Sequence, residues 1–237
     1  MSSTDKPKTA ANQAPGKDRL KLAATAMASN MKLHATGGSP ETGASGSFDG
    51  DVAKSIIKSW PKTAQMAAEN TMKFYGPPNE ATPTQLIWYE NGPWKRTIAF
   101  RDEVPHDFPE PHTDVLQQFI DYQVPAEKMG ELAQLEGSLV IDRTKGEVSV
   151  HCDNEGANIL SLNMMHEIVT GKRTPQEARE FIAKEIVEYL MDRPAPYAEN
   201  FQFELPKGPQ WFTDKPLVQD VILKEALEKV TKKLGLE

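Results

Sequence analysis

The residues of this chain that could do chemistry are concentrated in a few places. Arg101 to Asp114 reads RDEVPHDFPEPHTD and holds two histidines, three prolines and five acidic residues in fourteen positions. His106 and His112, with Asp107, Glu110 and Asp114, offer imidazole nitrogen and carboxylate oxygen, donors that suit zinc, iron, manganese or copper. His151, Cys152 and Asp153 follow a strand-like run, and His166 with Glu167 lies further along. His106, His112, His151 and His166 are therefore the candidate metal ligands. The ends of two strands in an antiparallel sheet can meet, which would let His106 or His112 approach His151. A proline-stiffened connection explains the same composition, because Pro105, Pro109 and Pro111 hold the backbone extended and the acidic residues keep it wet.

Other signatures narrow the field. The chain has no G-x-x-x-x-G-K-[ST] phosphate loop, no G-x-G-x-x-G turn and no G-x-S-x-G nucleophile elbow. His166-Glu167 opens like a zincin helix, but the position four residues after His166 is Thr170. Asn163, Glu167 and Thr170 share that helix face, and a solvated polar row is the expectation. Cys152 continues the alternation of Val148 and Val150, so it is expected to be a small buried apolar residue. Neighbours on a strand point to opposite faces, which makes His151 a poor base for its sulfur. Asp142 and Glu147 read as turn and solvent-face polar residues.

The elements that must position these groups follow from periodicity and punctuation. Residues 1–49 are rich in Ser, Thr, Ala, Gly, Pro and Lys, a composition expected to give a disordered lead. Within it Leu20, Ala23, Ala24, Met27 and Met31 recur at helical spacing from Lys17 to Leu33. Val52, Ile56 and Trp60 suggest one face of a short helix. Ser59 is expected to cap the next, with Pro61 in its first turn and Met66, Ala67, Thr71, Met72 and Tyr75 inward. LIWYENGPWKRTIAFRD alternates on both sides of Asn91-Gly92, a hairpin signal. Its second strand is expected to turn Trp94, Ile98 and Phe100 one way and Lys95, Thr97 and Arg101 the other.

VLQQFIDYQV gives a single strand with Ile120, Tyr122 and Val124 on one face, and the helix after Pro125 ends at Gly137. SLVIDRTKGEVSVHC is a second hairpin turning at Asp142 to Gly146. Asp153 or Asn154 caps a helix to Gly171. Thr174-Pro175-Gln176-Glu177 is a capping box with proline at the first helical position. That helix carries Ala178, Ile182, Ile186, Tyr189 and Leu190 inward. An aromatic, proline-rich connection with Tyr197, Phe201, Phe203, Trp211 and Phe212 leads to a final helix opened by Asp214.

The expected architecture is α+β, an antiparallel sheet of about five strands (two hairpins and a single strand) covered by helices. Residues 1–49 form the lead, 50–192 the domain, and 193–237 a connection and helix packed on it.

Composition bounds the function. The net charge of -7 opposes a general nucleic-acid binder. One cysteine forbids an intrachain disulfide and any cysteine-based zinc cluster within one chain. No apolar run reads as a signal peptide or membrane span, so a cytoplasmic, membrane-free location is the default. No cofactor is assigned. The first expectation is a non-catalytic binding or interaction module for a protein partner or a small apolar ligand enclosed between sheet and helices. The alternative is a metal-dependent enzyme using the loop and helix histidines. A scaffolding role would suit the lead and the terminal helix.

Overall fold

The computed structural model describes residues 9, 10, 15–38, 41, 43–208, 210, 211, 214–216, 228 and 232. The chain divides into two compact units, Met1–Glu41 with Asp214–Glu237, and Thr42–Thr213. In the first, helix α1 spans Gly16–Ala35 and has no buried residue. The helix expected after Asp214, with Val218, Val221, Ile222, Ala226, Val230 and Leu234, and Phe212 before it, lies outside the described residues.

The second unit is an α+β fold. Helices α2 (Gly50–Ile57) and α3 (Lys62–Tyr75) precede strands β1 (Glu80–Thr82), β2 (Gln85–Asn91), β3 (Trp94–His106) and β4 (His112–Asp121). A single 3-10 turn leads into α4 (Met129–Leu135), and strands β5 (Leu139–Asp142) and β6 (Glu147–Cys152) follow. Helices α5 (Glu155–Val169), α6 (Pro175–Leu190) and α7 (Pro196–Glu199) complete it. The sheet has six strands in the order β1-β2-β3-β4-β6-β5, every neighbouring pair antiparallel. The strand beyond the expected five is β1, whose three residues are too few to show alternation.

Two apolar clusters lie between this sheet and its helices. One gathers Ala53, Ile57, Trp60, Ala64 and Ala68 against Leu86, Trp88, Ala99 and Leu116. The other surrounds Leu160, Met164, Met165 and Ile168 of α5 with Val148 and Val150 of β6. Directly opposed residues of an antiparallel pair share a face. Trp88 stands opposite Thr97, and Leu86 opposite Ala99, so bulky residues of β2 are matched by small ones of β3. Thr97, fully buried and bonded by Asn91 Nδ2 at 3.0 Å, thus turns to the helices.

Some helix faces differ from expectation. On α2 the buried positions are Ala53 and Ile57, while Val52 is exposed; Ser59 caps nothing, because α3 starts behind Pro61 without a side-chain cap. Met66 and Leu190 are exposed. The local signals at α5 and α6 hold. Asn154 Oδ1 accepts from the Ala157 amide, and Thr174 and Glu177 form the reciprocal capping box.

The largest correction concerns α5. Asn163 and Glu167, expected on a solvated row, are buried at 1% and 3% exposure. Residues 197–203 lie over that face. Asn163 Nδ2 donates to the carbonyls of Tyr197 and Asn200, and its Oδ1 accepts from the Gln202 amide. Glu167 takes Lys172, Arg173 and the Tyr197 hydroxyl at 3.0 Å. Polar side chains at that spacing are thus the anchor for an aromatic strap. Among the described residues no helix is long and apolar enough to cross a membrane.

Candidate metal centre

The RDEVPHDFPEPHTD stretch is mostly strand. β3 and β4 continue through it to the direct pairs Val104–Asp114, Pro105–Thr113 and His106–His112, leaving 107–111 as the turn. Phe100 to Glu103 on β3 stand opposite Val115 alone on β4, an irregularity that re-aims the strand ends. β2 pairs with β3 only as far as Phe100, so Pro105 lies on an edge, where its missing N–H breaks no ladder bond. The Arg179 guanidinium sits 3.7 Å from the centre of the Phe108 ring, and Arg179 Nη1 also donates to the Leu135 carbonyl at 2.5 Å. These contacts tie the turn to α6 and the end of α4.

Direct pairing across the hairpin brings two imidazoles onto one carboxylate. His106 Nδ1 lies 3.3 Å and His112 Nε2 3.1 Å from the same oxygen, Asp114 Oδ1. Ligand atoms of the three residues lie within 4.8 Å of one another. The side chains of His106, His112 and Asp114 are 17%, 9% and 9% exposed. His112 Nδ1 is 2.7 Å from the Glu110 carbonyl, which only accepts, so that nitrogen carries a proton and Nε2 is turned to Asp114. Hydrogen bonding to Asp114, reinforced by the Glu110 carbonyl and by Asp153, outweighs burial and pushes the His112 pKa up to about 9. Without an ion, a proton therefore sits between Nε2 and the carboxylate.

β6 runs beside β4, and its last residue adds to the cluster. Leu116 pairs with Cys152, which places Cys152 Sγ 3.4 Å from His112 Nε2. The thiol is buried, as its strand pattern suggests, and its pKa lies well above the ordinary value, chiefly through burial and then the Asp153 charge. It is not among the three grouped donors. Glu136, 8% exposed, lies close enough for Asp114, His112 and Arg179 to act on its charge; burial pushes its pKa up to about 7, and its Oε1 makes no hydrogen bond. Ser138 Oγ, also buried, makes none either.

A cavity of about 500 Å³ opens beside this cluster, lined in part by His106, Asp114, Ser138 and His151. His112 is not in its wall. The structure therefore groups two of the four candidate histidines. His151 projects from the other face of β6, with its ring centre 5.4 Å from that of Phe100, and burial holds its pKa below the usual histidine value. His166 stands apart: its Nδ1 is 2.9 Å from the Tyr122 hydroxyl, and its ring stacks on Phe203 at 4.2 Å.

Asp114, the hinge of the cluster, stood in the sequence only as one of three carboxylates beside the two histidines. The usable signal was the spacing His106 to His112, which places two residues opposite each other across a five-residue turn once both are assigned to strands. Comparison with models of protein families, with curated proteins and with solved structures found no match for this chain.

Proposed function

We propose that the protein is a metal-dependent enzyme that holds a divalent transition-metal ion with His106, His112 and Asp114. The observation that supports this is the sharing of Asp114 Oδ1 by two imidazole nitrogens at 3.3 and 3.1 Å. Bonds of about 2.0–2.1 Å in tetrahedral geometry put neighbouring ligand atoms about 3.3 Å apart, so both spacings to Asp114 suit a bound ion, and the remaining separation within the 4.8 Å group closes as the histidines draw in on it. The Glu110 carbonyl on His112 Nδ1 is the usual outer partner of a ligating histidine, fixing its tautomer and leaving Nε2 to the ion. Two ligands lie in a cavity wall, and three protein ligands with a free position are the pattern of catalytic rather than structural sites. A bound ion would supply Lewis acidity or an activated water. X-ray absorption of the zinc-loaded protein tests the reading. It predicts a nitrogen and oxygen shell near about 2.0 Å with imidazole scattering; a sulfur-dominated shell, or no imidazole, would overturn it.

A second reading, a non-catalytic binding module for a small apolar ligand, is supported by a different cleft of about 510 Å³. Ala67, Phe74, Tyr75, Leu116, Ile159 and Tyr189 line part of it, and Phe74 is largely exposed. Trp94 Nε1 donates to Glu155 Oε1, a cleft residue, at 3.2 Å, so a saturable change in tryptophan fluorescence on adding an apolar dye, lost in Phe74→Ala, checks this reading.

A further inference from the structure

The cavity beside His106 and Asp114 has features that the three ligands leave unexplained. Its wall also contains Phe100, Asp102, Val104, Pro105, Ser138 and His151, and carries no lysine or arginine. Ser138 lines the cavity, while its Oγ is shut off from solvent and has no hydrogen-bond partner, an expensive state that a turn about its one side-chain torsion toward a bound molecule would relieve. The His151 ring meets Phe100 edge-on and has no side-chain hydrogen bond among the described residues. Unused polar groups beside apolar ones are how small-molecule sites fix orientation, and a volume of about 500 Å³ is in the usual range for them.

We infer that this cavity is the substrate side of the metal centre and takes a small uncharged molecule with two oxygen donors, one facing the ion and the other bonded by Ser138 and His151. The inference rests on the metal reading. His106 and Asp114 stand in the wall and His112 does not, so an ion on all three would be reached from the cavity past the first two. The chemical class follows from the lining. An anionic substrate such as a phosphate ester would ordinarily meet a basic side chain, and none lines this cavity, where the Asp102 carboxylate is already paired with Arg101. Phe100, Val104 and Pro105 accept the apolar remainder.

The test uses the full chain loaded with cobalt(II), whose visible bands report its ligands, and succinimide, uncharged in neutral solution and with two carbonyl oxygens too far apart to chelate one ion, as the probe. Cobalt bands should appear, shift saturably with the probe, and need about tenfold more probe in Ser138→Ala and His151→Phe, the effect of losing one hydrogen bond. Ser138→Ala removes one oxygen and no bulk, so it reports on the site even where the His151 variant fails to fold. Absence of cobalt bands would overturn the metal reading itself. Bands that ignore the probe, respond equally in wild type and Ser138→Ala, or shift at lower concentrations of inorganic phosphate than of the probe would overturn the inference and leave the metal reading standing.

Discussion

His112 Nε2 lies 3.1 Å from Asp114 Oδ1 while its Nδ1 is held at 2.7 Å by the Glu110 carbonyl. The imidazole is thus fixed at both nitrogens, and only one of them can exchange a proton for an ion. His112→Gln keeps a polar side chain but loses that geometry. It should reduce zinc affinity at least about tenfold, the low end for a lost ligand or its orientation, as read by competition with a chromophoric chelator.

The same pair sets a pH dependence in the metal-free protein. His112 titrates at about 9 in the fold against about 6.5 in an unfolded chain, so its folded pKa is raised. The stability it contributes is fully present below about pH 6.5 and is lost as pH climbs to about 9. Urea unfolding of wild type and His112→Gln should therefore differ most at pH 6 and converge by pH 9. Zinc must displace that proton, so zinc affinity should rise over the same interval.

How much of this was legible in the sequence depends on the scale at which each signal acts. Caps and turns are local: the Thr174 capping box and the hairpin at Gly92 could be read directly from neighbouring residues, and the cap before α5 could be narrowed to Asp153 or Asn154, of which Asn154 is the one used. Faces were harder. Thr97 is buried because Trp88 fills the space opposite it, a fact about pairing that composition does not carry. Asn163 and Glu167 look like solvent-facing residues until the segment at 197–203 is seen to lie over them. At the centre, the histidines were visible but their relation was not. The prolines suggested a connection where β3 and β4 pair to their ends, and only the register sets His106 against His112.

Glu167 provides a second pH test, on the strap rather than the metal centre. Burial disfavours its charge, but Lys172, Arg173 and Tyr197 more than compensate and hold its pKa below the usual carboxylate value. A lowered folded pKa gives stability that is present above the unfolded value, about 4.3, and lost as pH falls through the folded one. Glu167→Gln should cost about 1–3 kcal/mol at pH 7, with the difference from wild type shrinking on acidification below pH 4, in chemical denaturation.

Gly146 closes the β5–β6 hairpin at φ +63°, and a Cβ there would fall 1.8 Å from the Gln210 carbonyl oxygen. Backbone cannot yield as a side-chain tip can. Gly146→Ala should lower stability by about 1–3 kcal/mol and loosen the segment around Gln210, measured by thermal melting and limited proteolysis.

Cys152 touches His112 yet lies outside the three-donor group, so Cys152→Ala should keep its metal. Its buried thiol, with a raised pKa, should react slowly with a disulfide reagent in the native state and fast after unfolding. Rapid native labelling, or loss of metal in Cys152→Ala, would show that the sulfur has a larger part in the site.

The most direct measurement is calorimetric titration of zinc into the metal-stripped protein and into Asp114→Asn. The wild type should bind one ion per chain, and the variant, which keeps its shape but loses the shared carboxylate, should show no such site while still melting cooperatively. No stoichiometric binding by the wild type, or undiminished binding by a folded Asp114→Asn, would contradict a metal centre built on His106, His112 and Asp114.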